Sequence, residues 1–382
     1  MRLIRIFVCF VLCLCMIIMI YVPNVCALSE KETTSPSEVL IEATTGKVLY
    51  DKNSHEVRAC ASITKVMTLL LVFEALDSGK IHLTDEVTAS AHASSMGGSD
   101  IWLAPGEKMT VDDMIKATVV ASANDAAVAL AEYIDGSEDG FVAAMNNKAK
   151  KLGMKETVFK NCNGLDEDGH VTSAYDVAVM SKELIKHKGI FKYSTIWMDT
   201  LRGGKTQIVN TNKLLKSYNG ITGLKTGTTG KAGSCISATA TRNGMNLIAV
   251  VLGSKTGTER FKDAATLLDY GFANFAVSQP QLPQGSLHPI KVTNGMQTEV
   301  NTDCKIGSGF LVSKGEDKDI KCKVEYNDSV TAPVKNGQKV GTVKYILKND
   351  TLAEYPIVTV GSIKPISFGC VFKLMMQYLF SL

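Results

Sequence analysis

The fold is built around one stretch of sequence, Ala61-Ser62-Ile63-Thr64-Lys65-Val66-Met67-Thr68-Leu69-Leu70. Its apolar run continues to about Leu76, which predicts a helix that begins at Ser62 and ends at Ser78-Gly79. Ser62 and Lys65 are three residues apart, so they share one face of the first turn. A hydroxyl beside an amine can act as a nucleophile without histidine. On its own, however, the pair would more readily be a helix N-cap followed by a solvated lysine.

Two further motifs occur downstream in the order that such chemistry needs. Ser122-Ala123-Asn124 offers a hydroxyl to relay a proton to the leaving group and an amide to hold the substrate. Lys225-Thr226-Gly227, on a predicted strand beside the helix, offers groups that bind a substrate carboxylate, and the strand can pair with an extended peptide. Each motif alone is a weak signal. The ordered trio predicts Ser62 as a nucleophile and Lys65 as its general base.

Lys65 must be neutral if it is to accept the proton of Ser62. Burial, nearby positive charge and the N-terminal end of the helix dipole are each expected to lower its pKa. The same dipole would stabilise a developing alkoxide. The sequence therefore predicts a buried lysine with a lowered pKa at the start of the helix.

Two of the motifs have second copies. Lys255-Thr256-Gly257 ends an apolar run and leads directly into a predicted helix, a position typical of a connecting loop. Ser217-Tyr218-Asn219 lies only a few residues before Lys225. We prefer Ser122 because predicted helices flank it, and Lys225 because a glycine- and threonine-rich segment leads from it into the strand at Ser234.

The N-terminus predicts export. Arg2 and Arg5 precede an uninterrupted apolar run from Ile6 to Val22, and Val25-Cys26-Ala27 provides small residues for cleavage. We expect residues 1–27 to be a signal peptide, with an uncleaved membrane anchor as the alternative. The formal net charge of +3 indicates no strong attraction to nucleic acid.

The 382 residues are enough for about two domains. Predicted helices and antiparallel hairpins give an α+β domain at 28–277, a helical cluster on an antiparallel sheet, whose residues 28–38 are polar and expected to be loose. After a linker near 278–283, short β-prone runs and turn signals predict a small β-sandwich domain at 284–364.

The last segment, residues 366–382, predicts an amphipathic helix. Gly369, Lys373, Gln377 and Ser381 recur every four residues and form a narrow stripe in an apolar surface. About 17 residues make a helix of roughly 25 Å, marginal for crossing a bilayer. We expect the helix to lie in a membrane interface. Packing on the protein's own core is the alternative.

Cysteines and histidines indicate no metal site and no cofactor. Four of the ten cysteines lie within residues 1–27, and the wide spacing of the other six fits neither a zinc site nor a compact disulfide framework. Whether Cys304 and Cys322 pair across neighbouring strands is left open. The six histidines include no H-E-x-x-H pair, and His170 is expected to be a loop residue.

The motifs together resemble a known family, the serine D-alanyl-D-alanine carboxypeptidases or low-molecular-mass penicillin-binding proteins. Besides the trio, the resemblance depends on Trp102-Leu103-Ala104-Pro105-Gly106-Glu107 and Asn163-Gly164-Leu165-Asp166. It runs from about Val39 to Phe275, and the β domain and amphipathic tail look like the family's usual appendages. It implies a penicillin-binding/serine β-lactamase-like transpeptidase fold for the first domain.

The resemblance also implies a reaction at the outer face of the bacterial cytoplasmic membrane. Ser62 would attack the bond between the two terminal D-alanines of a peptidoglycan stem peptide, with Lys65 as general base and Ser122 assisting departure of D-alanine. β-Lactam antibiotics would trap Ser62, and the C-terminal helix would contact the membrane surface. Backbone amides of Ser62 and Thr228 would form the oxyanion hole. The implied substrate-binding residues are Asn124, Lys225, Thr226, Gly227 and Thr228, with Arg260 as a further candidate for the carboxylate.

Two other functions are considered. A serine β-lactamase shares the three motifs, but no glutamate between Ser122 and Lys225 stands in the Glu-x-x-Leu-Asn context that activates water in the class A enzymes. A catalytically silent cell-wall-binding protein is the second, and the intact Ser62, Lys65 and Lys225 argue against it.

Overall fold

The computed structural model describes residue 28, residues 32–307 and residues 309–380. The predicted signal peptide lies outside these residues. The chain divides into two compact units at Asn274/Phe275, with the turn residues Asn243–Met245 grouped with the second unit. This division falls slightly before the boundary expected at residue 277, because Phe275–Ser278 forms a strand that pairs within the second unit.

The strands of the first unit are β1 (Ser37–Glu42), β2 (Val48–Lys52), β3 (Glu86–Thr88), β4 (Lys108–Thr110), β5 (Met198–Leu201), β6 (Thr206–Val209), β7 (Ile221–Thr229), β8 (Gly233–Arg242) and β9 (Met245–Ser254). Five of them form an antiparallel sheet with the order β2-β1-β9-β8-β7, which makes β7 an outer strand. Strands β3 and β4 form one separate hairpin-like pair, and β5 and β6 form another.

The helices of this unit are α1 (Lys65–Asp77), α2 (Ala91–Ser94), α3 (Val111–Lys116), α4 (Asn124–Asp135), α5 (Glu138–Lys151), α6 (Ala174–Leu184), α7 (Phe191–Ser194), α8 (Leu214–Ser217) and α9 (Gly257–Asn274). A 3₁₀ turn at Ala61–Thr64 leads into α1, and a π-helical segment at Ala117–Ala121 follows α3.

Both faces of the sheet are covered by helices. Val39 and Ile41 of β1 belong to the main core, which also contains residues of α1, α4 and α6. Successive side chains of a strand point to opposite faces, and Leu40 contacts α9 on the other side. A side chain added at Gly271 of α9 would come within 2.9 Å of Leu40 and 2.5 Å of Leu247. The small residue therefore allows α9 to pack closely on the sheet.

The segment before β1 is held in place, contrary to the expectation that residues 28–38 are loose. Thr33 and Ser35 are buried. The carboxylate of Asp263 on α9 accepts hydrogen bonds from the backbone N–H groups of Thr34 (3.1 Å) and Ser35 (2.9 Å) and from the Ser35 hydroxyl (2.5 Å). A buried carboxylate needs such donors, and the sequence pattern of a polar segment did not reveal them.

The second unit contains β10 (Phe275–Ser278), β11 (Ile290–Thr293), β12 (Glu299–Asp303), β13 (Phe310–Ser313), β14 (Ile320–Tyr326), β15 (Val330–Thr331), β16 (Lys339–Leu347) and β17 (Asp350–Val360). Strand β10 pairs with β13, and the other strands form a sheet with the order β14-β16-β17-β12-β11-β15. Cys304 and Cys322 are both free thiols. Cys322 lies on β14 and Cys304 just after β12, and these two strands are not neighbours in the sheet.

A C-terminal helix, α10 (Phe368–Phe380), follows this sheet. Its large apolar side chains are exposed, with Phe368 at 87% and Leu379 at 68%. The helix therefore does not bury its apolar surface in the protein's own core, which was the alternative considered. Ser381 of the predicted stripe lies outside the described residues. Within the part of the chain that the structure describes, no helix combines the length and apolarity needed to cross a bilayer.

Candidate active site

The 3₁₀ turn at Ala61–Thr64 brings Ser62 and Lys65 together. Residues i and i+3 eclipse one another in a 3₁₀ helix, and Oγ of Ser62 lies 3.1 Å from Nζ of Lys65. Ala61 adopts a φ of +52°, a left-handed conformation that turns the chain sharply before the serine. Ser62 is half-buried and Lys65 is fully buried. The nucleophile can therefore meet a substrate while its base is shielded from water.

Nζ of Lys65 has two acceptors besides Ser62. It donates to Oδ1 of Asn124 (2.5 Å) and to the backbone oxygen of Asn163 (2.6 Å). A neutral amine has two N–H donors and one lone pair. Because the two carbonyl groups occupy both donors, the lone pair of a neutral Lys65 is directed at the hydroxyl of Ser62.

Burial lowers the pKa of Lys65 from 10.5 to about 7. The nearby carboxyl groups of Asp100 and Asp125 act in the opposite direction and raise the pKa. We expected nearby positive charge to lower the pKa of Lys65, but it lowers the pKa of Lys225 instead. Burial, Lys65 and Arg260 together lower the pKa of Lys225 well below its ordinary value. Lys65 is thus poised to exchange a proton near neutral pH.

The Ser122-Ala123-Asn124 motif lies at the break between the π-helical segment and α4. The π-helical segment ends at Ser122, which has a φ of +61°, and α4 begins two residues later at Asn124. The break falls at residues that favour caps and turns over a helix interior. It directs Oγ of Ser122 at Nζ of Lys225, 2.8 Å away.

The side chain of Asn124 is hydrogen-bonded to Lys65 and to the backbone, and it is not free to bind a substrate. Its Oδ1 accepts from Lys65, and its Nδ2 donates to the backbone oxygen of Gly97 at 2.6 Å. Both ends of the side chain are engaged. The expected substrate contact of Asn124 would therefore require one of these bonds to be exchanged.

Lys225 and Thr226 lie on β7 and are both buried. Besides Ser122, Nζ of Lys225 donates to the backbone oxygen of Thr226 at 2.9 Å. Oγ1 of Thr226 lies 2.6 Å from Oγ1 of Thr211. Nζ of Lys225 is thus hydrogen-bonded to both the Ser122 hydroxyl and its own strand.

Gly227 allows β7 to pass directly against the nucleophile turn. A Cβ at this position would lie 2.8 Å from the backbone N of Ser62 and 2.8 Å from the backbone oxygen of Cys60. Any larger residue would push the strand away. The next residue, Thr228, is exposed and stands beside the turn.

Arg260 on α9 supplies a positive charge next to Gly227 and Thr228 of β7. Its Nη1 donates to the backbone oxygen of Gly227 (2.8 Å) and to Oγ1 of Thr228 (2.8 Å). The guanidinium is buried, and its Nε has no hydrogen-bond partner among the described residues. This arrangement agrees with the suggested role of Arg260 near a substrate carboxylate. No local motif could have fixed it, because Arg260 lies 33 residues from Gly227 in sequence.

The loop at residues 161–170 was not predicted to support the nucleophile. A Cβ at Gly164 would lie 2.0 Å from the backbone oxygen of Ala61, so the loop touches the turn. His170 is a loop residue, as expected, but it is buried, and its Nε2 lies 2.7 Å from Oγ1 of Thr64. Nδ1 of His170 accepts from the backbone N–H of Lys160 (3.2 Å), so Nε2 carries the proton and donates to Thr64. Burial lowers the pKa of His170 to about 4, which keeps it neutral.

The second copies of the motifs have structural roles. Thr256 and Glu259 cap the start of α9, with the Thr256 N–H donating to the Glu259 carboxylate (3.1 Å) and the Glu259 N–H to the Thr256 hydroxyl (3.2 Å). Ser217 ends the short helix α8, and Tyr218 donates to Asp269. Neither copy contacts Ser62 or Lys65 through any hydrogen bond of the described residues.

Comparisons with known proteins agree with this geometry. The sequence profile of the D-alanyl-D-alanine carboxypeptidase family matches residues 24–256, and that of the penicillin-binding protein 5 C-terminal domain matches residues 283–365. The chain is 45% identical over 344 residues to D-alanyl-D-alanine carboxypeptidase DacF of Bacillus subtilis (strain 168), covering 89% of this chain and 88% of that protein.

Solved structures give the same result. Penicillin-binding protein 5 from Haemophilus influenzae is similar with a TM-score of 0.75 and 30% identity, covering 88% of this chain and 99% of that one. Penicillin-binding protein D2 from Listeria monocytogenes, in its ampicillin-bound form, is similar with a TM-score of 0.59 and 33% identity, covering 64% of this chain and 100% of that one. These matches confirm the resemblance and the α+β fold class predicted from the sequence.

Proposed function

Because this chain belongs to the D-alanyl-D-alanine carboxypeptidase family, we propose that Ser62 is its nucleophile, Lys65 its general base and Ser122 its proton relay. The protein is a serine-type carboxypeptidase that removes the terminal D-alanine from peptidoglycan stem peptides through an acyl-enzyme. The hydrogen bonds of Lys65 are the observation that supports its role as general base. Nζ of Lys65 has two carbonyl acceptors for its two N–H groups, at 2.5 and 2.6 Å, and Ser62 Oγ at 3.1 Å for its lone pair.

The reaction starts when Oγ of Ser62 attacks the carbonyl carbon of the penultimate D-alanine and its proton passes to Nζ of Lys65. The oxyanion is stabilised by the backbone N–H groups of Ser62 and Thr228. The peptide C–N bond then breaks, and the leaving amine takes a proton through Oγ of Ser122, which is hydrogen-bonded to Lys225 at 2.8 Å. Water finally attacks the ester on Ser62 and releases the shortened peptide.

The terminal carboxylate of the substrate binds near Thr226, Gly227 and Thr228. The buried guanidinium of Arg260, which donates to Gly227 and Thr228, supports this assignment because it favours an anion at this end of β7. Gly227 lets β7 pass directly against the turn that holds Ser62, so a peptide that pairs with the outer edge of β7 lies next to Ser62. The carboxylate requirement explains a preference for removing a terminal residue.

Release of D-alanine from a pentapeptide ending in D-Ala-D-Ala tests the assignment. Ser62→Ala should lower kcat by at least about 10³-fold, because the acyl-enzyme cannot form. Ser217→Ala, in the second copy of the Ser-x-Asn motif, is the matched control and should leave the rate unchanged. Retention of activity in Ser62→Ala would show that another group is the nucleophile.

We further propose that the protein is held at the outer face of the bacterial cytoplasmic membrane by α10, lying in the membrane interface. The exposed apolar side chains of this helix support the proposal, since they would otherwise face water. Sedimentation with phospholipid vesicles tests it. The mature chain should bind, and a chain ending at residue 365 should stay in the supernatant with its carboxypeptidase activity intact. Equal binding of both chains would refute the proposal.

A further inference from the structure

A chain of three hydrogen bonds ends on the carbonyl group of Ala61, the residue before the nucleophile. The backbone N–H of Lys160 lies 3.2 Å from Nδ1 of His170, and Nε2 of His170 lies 2.7 Å from Oγ1 of Thr64. Oγ1 of Thr64 donates in turn to the backbone oxygen of Ala61 at 2.9 Å. Because the imidazole and the threonine side chain are both buried, water does not compete for these bonds.

The backbone N–H of Lys160 gives the chain its direction. It can only donate, so Nδ1 of His170 is the acceptor and Nε2 carries the ring proton. Oγ1 of Thr64 then accepts from the imidazole, and its own proton is left for the carbonyl of Ala61. The thiol of Cys60, 3.4 Å from the same hydroxyl, is a weaker acceptor than a carbonyl group.

The carbonyl of Ala61 and the N–H of Ser62 belong to one peptide unit. This unit is planar and trans, so its C=O and N–H groups point in opposite directions. The hydrogen bond that fixes the carbonyl therefore also fixes the direction of the N–H. That N–H is one of the two donors assigned above to the oxyanion hole, and such donors are effective only when they are aimed at the position of the oxyanion.

The backbone at Ala61 needs support from its surroundings. Its φ of +52° lies in the left-handed region, and such conformations persist where neighbouring groups fix them. The loop at Gly164 packs against the same carbonyl, because a Cβ there would lie 2.0 Å from the oxygen. This contact is steric. The hydrogen bond from Thr64 is the directional one, and it resists rotation of the peptide unit.

We propose that His170 is a positioning residue for the oxyanion hole. Through Thr64 it holds the carbonyl of Ala61, and so keeps the N–H of Ser62 aimed at the oxyanion that forms on the substrate. The imidazole itself neither touches the substrate nor exchanges a proton in the reaction. This inference rests on Ser62 as the nucleophile, because that assignment places the oxyanion beside its N–H.

Two substitutions separate the two hydrogen bonds of the imidazole. The amide nitrogen of glutamine lies as many bonds from Cα as Nε2 of histidine does, so His170→Gln keeps a donor to Thr64. Asparagine is shorter, so His170→Asn loses that donor. We expect His170→Asn to be acylated by penicillin at least about tenfold more slowly than wild type, because a misdirected oxyanion donor loses part of its effect. His170→Gln should keep most of the wild-type rate.

The infrared band of the ester carbonyl in the penicilloyl adduct reports on the oxyanion hole directly. Hydrogen bonds to the carbonyl oxygen lower its stretching frequency, so their weakening moves the band to higher frequency. With penicillin that carries ¹³C at the β-lactam carbonyl, we expect this shift in His170→Asn and in Thr64→Val, and no shift in His170→Gln.

Thr68→Val is the matched control. Oγ1 of Thr68, one turn further along α1, donates to the backbone oxygen of Cys162 at 2.5 Å and so joins α1 to the same loop. Loss of this hydrogen bond should leave the infrared band in place. An unmoved band in His170→Asn, or the same shift in Thr68→Val, would overturn the proposal.

A double-mutant cycle tests whether His170 acts through Thr64. Thr64→Val removes the hydroxyl and keeps the branched shape of the side chain. The double variant with His170→Asn should be acylated no more slowly than Thr64→Val alone. Losses that multiply in the double variant would contradict the proposal. If His170→Asn does not fold, the band and the rate in Thr64→Val decide whether the bond to Ala61 orients the oxyanion hole.

The positioning role and the proposed function fail in different ways. If wild-type protein forms no penicillin adduct on Ser62, the nucleophile is wrong. If the adduct forms normally and its carbonyl band is the same in wild type, His170→Asn and Thr64→Val, only the role of His170 is wrong.

Discussion

Lys65 must be basic enough to take a proton from Ser62 and yet be neutral at the pH where the enzyme works. An ordinary lysine with a pKa of 10.5 would be neutral in roughly one molecule in three thousand at pH 7. Burial lowers the pKa to about 7, so about half of the molecules hold a ready base. The carbonyl oxygens of Asn124 and Asn163 then orient the amine.

This pKa predicts the pH dependence of acylation. Below pH 7 the amine of Lys65 is protonated, so the second-order rate of penicillin acylation should fall about tenfold for each pH unit, and above about pH 8 it should level off. The rate is measured from the mass of the adduct over time in buffers of constant ionic strength.

Lys65→Arg is the matched variant, because arginine stays protonated throughout this range. It should acylate at least about 10³-fold more slowly at every pH. A wild-type rate that does not change between about pH 5 and 8 would contradict Lys65 as the general base.

Local spacing explains which of these residues the sequence could predict. Ser62 and Lys65 are neighbours on one turn, so their spacing in the sequence is enough to predict that their side chains meet. The carbonyl of Asn163 and the imidazole of His170 reach the same turn from about a hundred residues away, and a backbone carbonyl leaves no signature of residue type. Their roles became visible only in the folded structure.

At the scale of elements, the loop at residues 161–170 supports the nucleophile turn by direct contact. Gly164 has a φ of +89°, and a Cβ there would lie 2.0 Å from the backbone oxygen of Ala61. Gly164→Ala should therefore displace the turn and lower the penicillin acylation rate by at least about 10²-fold. Acylation kinetics at neutral pH measure this effect.

Gly153 provides the matched control for this substitution. It has a φ of +75°, but a Cβ there has no neighbour within 4 Å. Gly153→Ala should cost only the backbone strain, about 1 kcal/mol of the free energy of unfolding, and should leave acylation unchanged. Similar acylation rates in the two variants would show that contact between Gly164 and the turn is unimportant.

Several elements followed from pattern alone. The Asn243-Gly244 pair between β8 and β9 favours a tight hairpin turn, and both residues have the positive φ that such a turn requires, +49° and +77°. Residues that favour caps and turns stand near Ser122, where the chain breaks between helices. The hydrogen bond between Ser122 and Lys225 at this break joins residues 103 apart in sequence, so no local pattern revealed it.

For the whole molecule, each proposed catalytic side chain belongs to the first compact unit. The boundary expected at residue 277 and the division at Asn274/Phe275 differ by a few residues. The exact boundary at Asn274/Phe275 depends on the pairing of β10 with β13, a long-range contact that no local pattern encodes. The same reason explains why the segment held by Asp263 looked loose in the sequence.

The most direct measurement is the intact mass of the mature chain after incubation with penicillin, followed by peptide mapping. We expect a lasting penicilloyl adduct on Ser62 that is absent from Ser62→Ala. An adduct on another residue, or rapid hydrolysis of the drug without a lasting adduct, would contradict it.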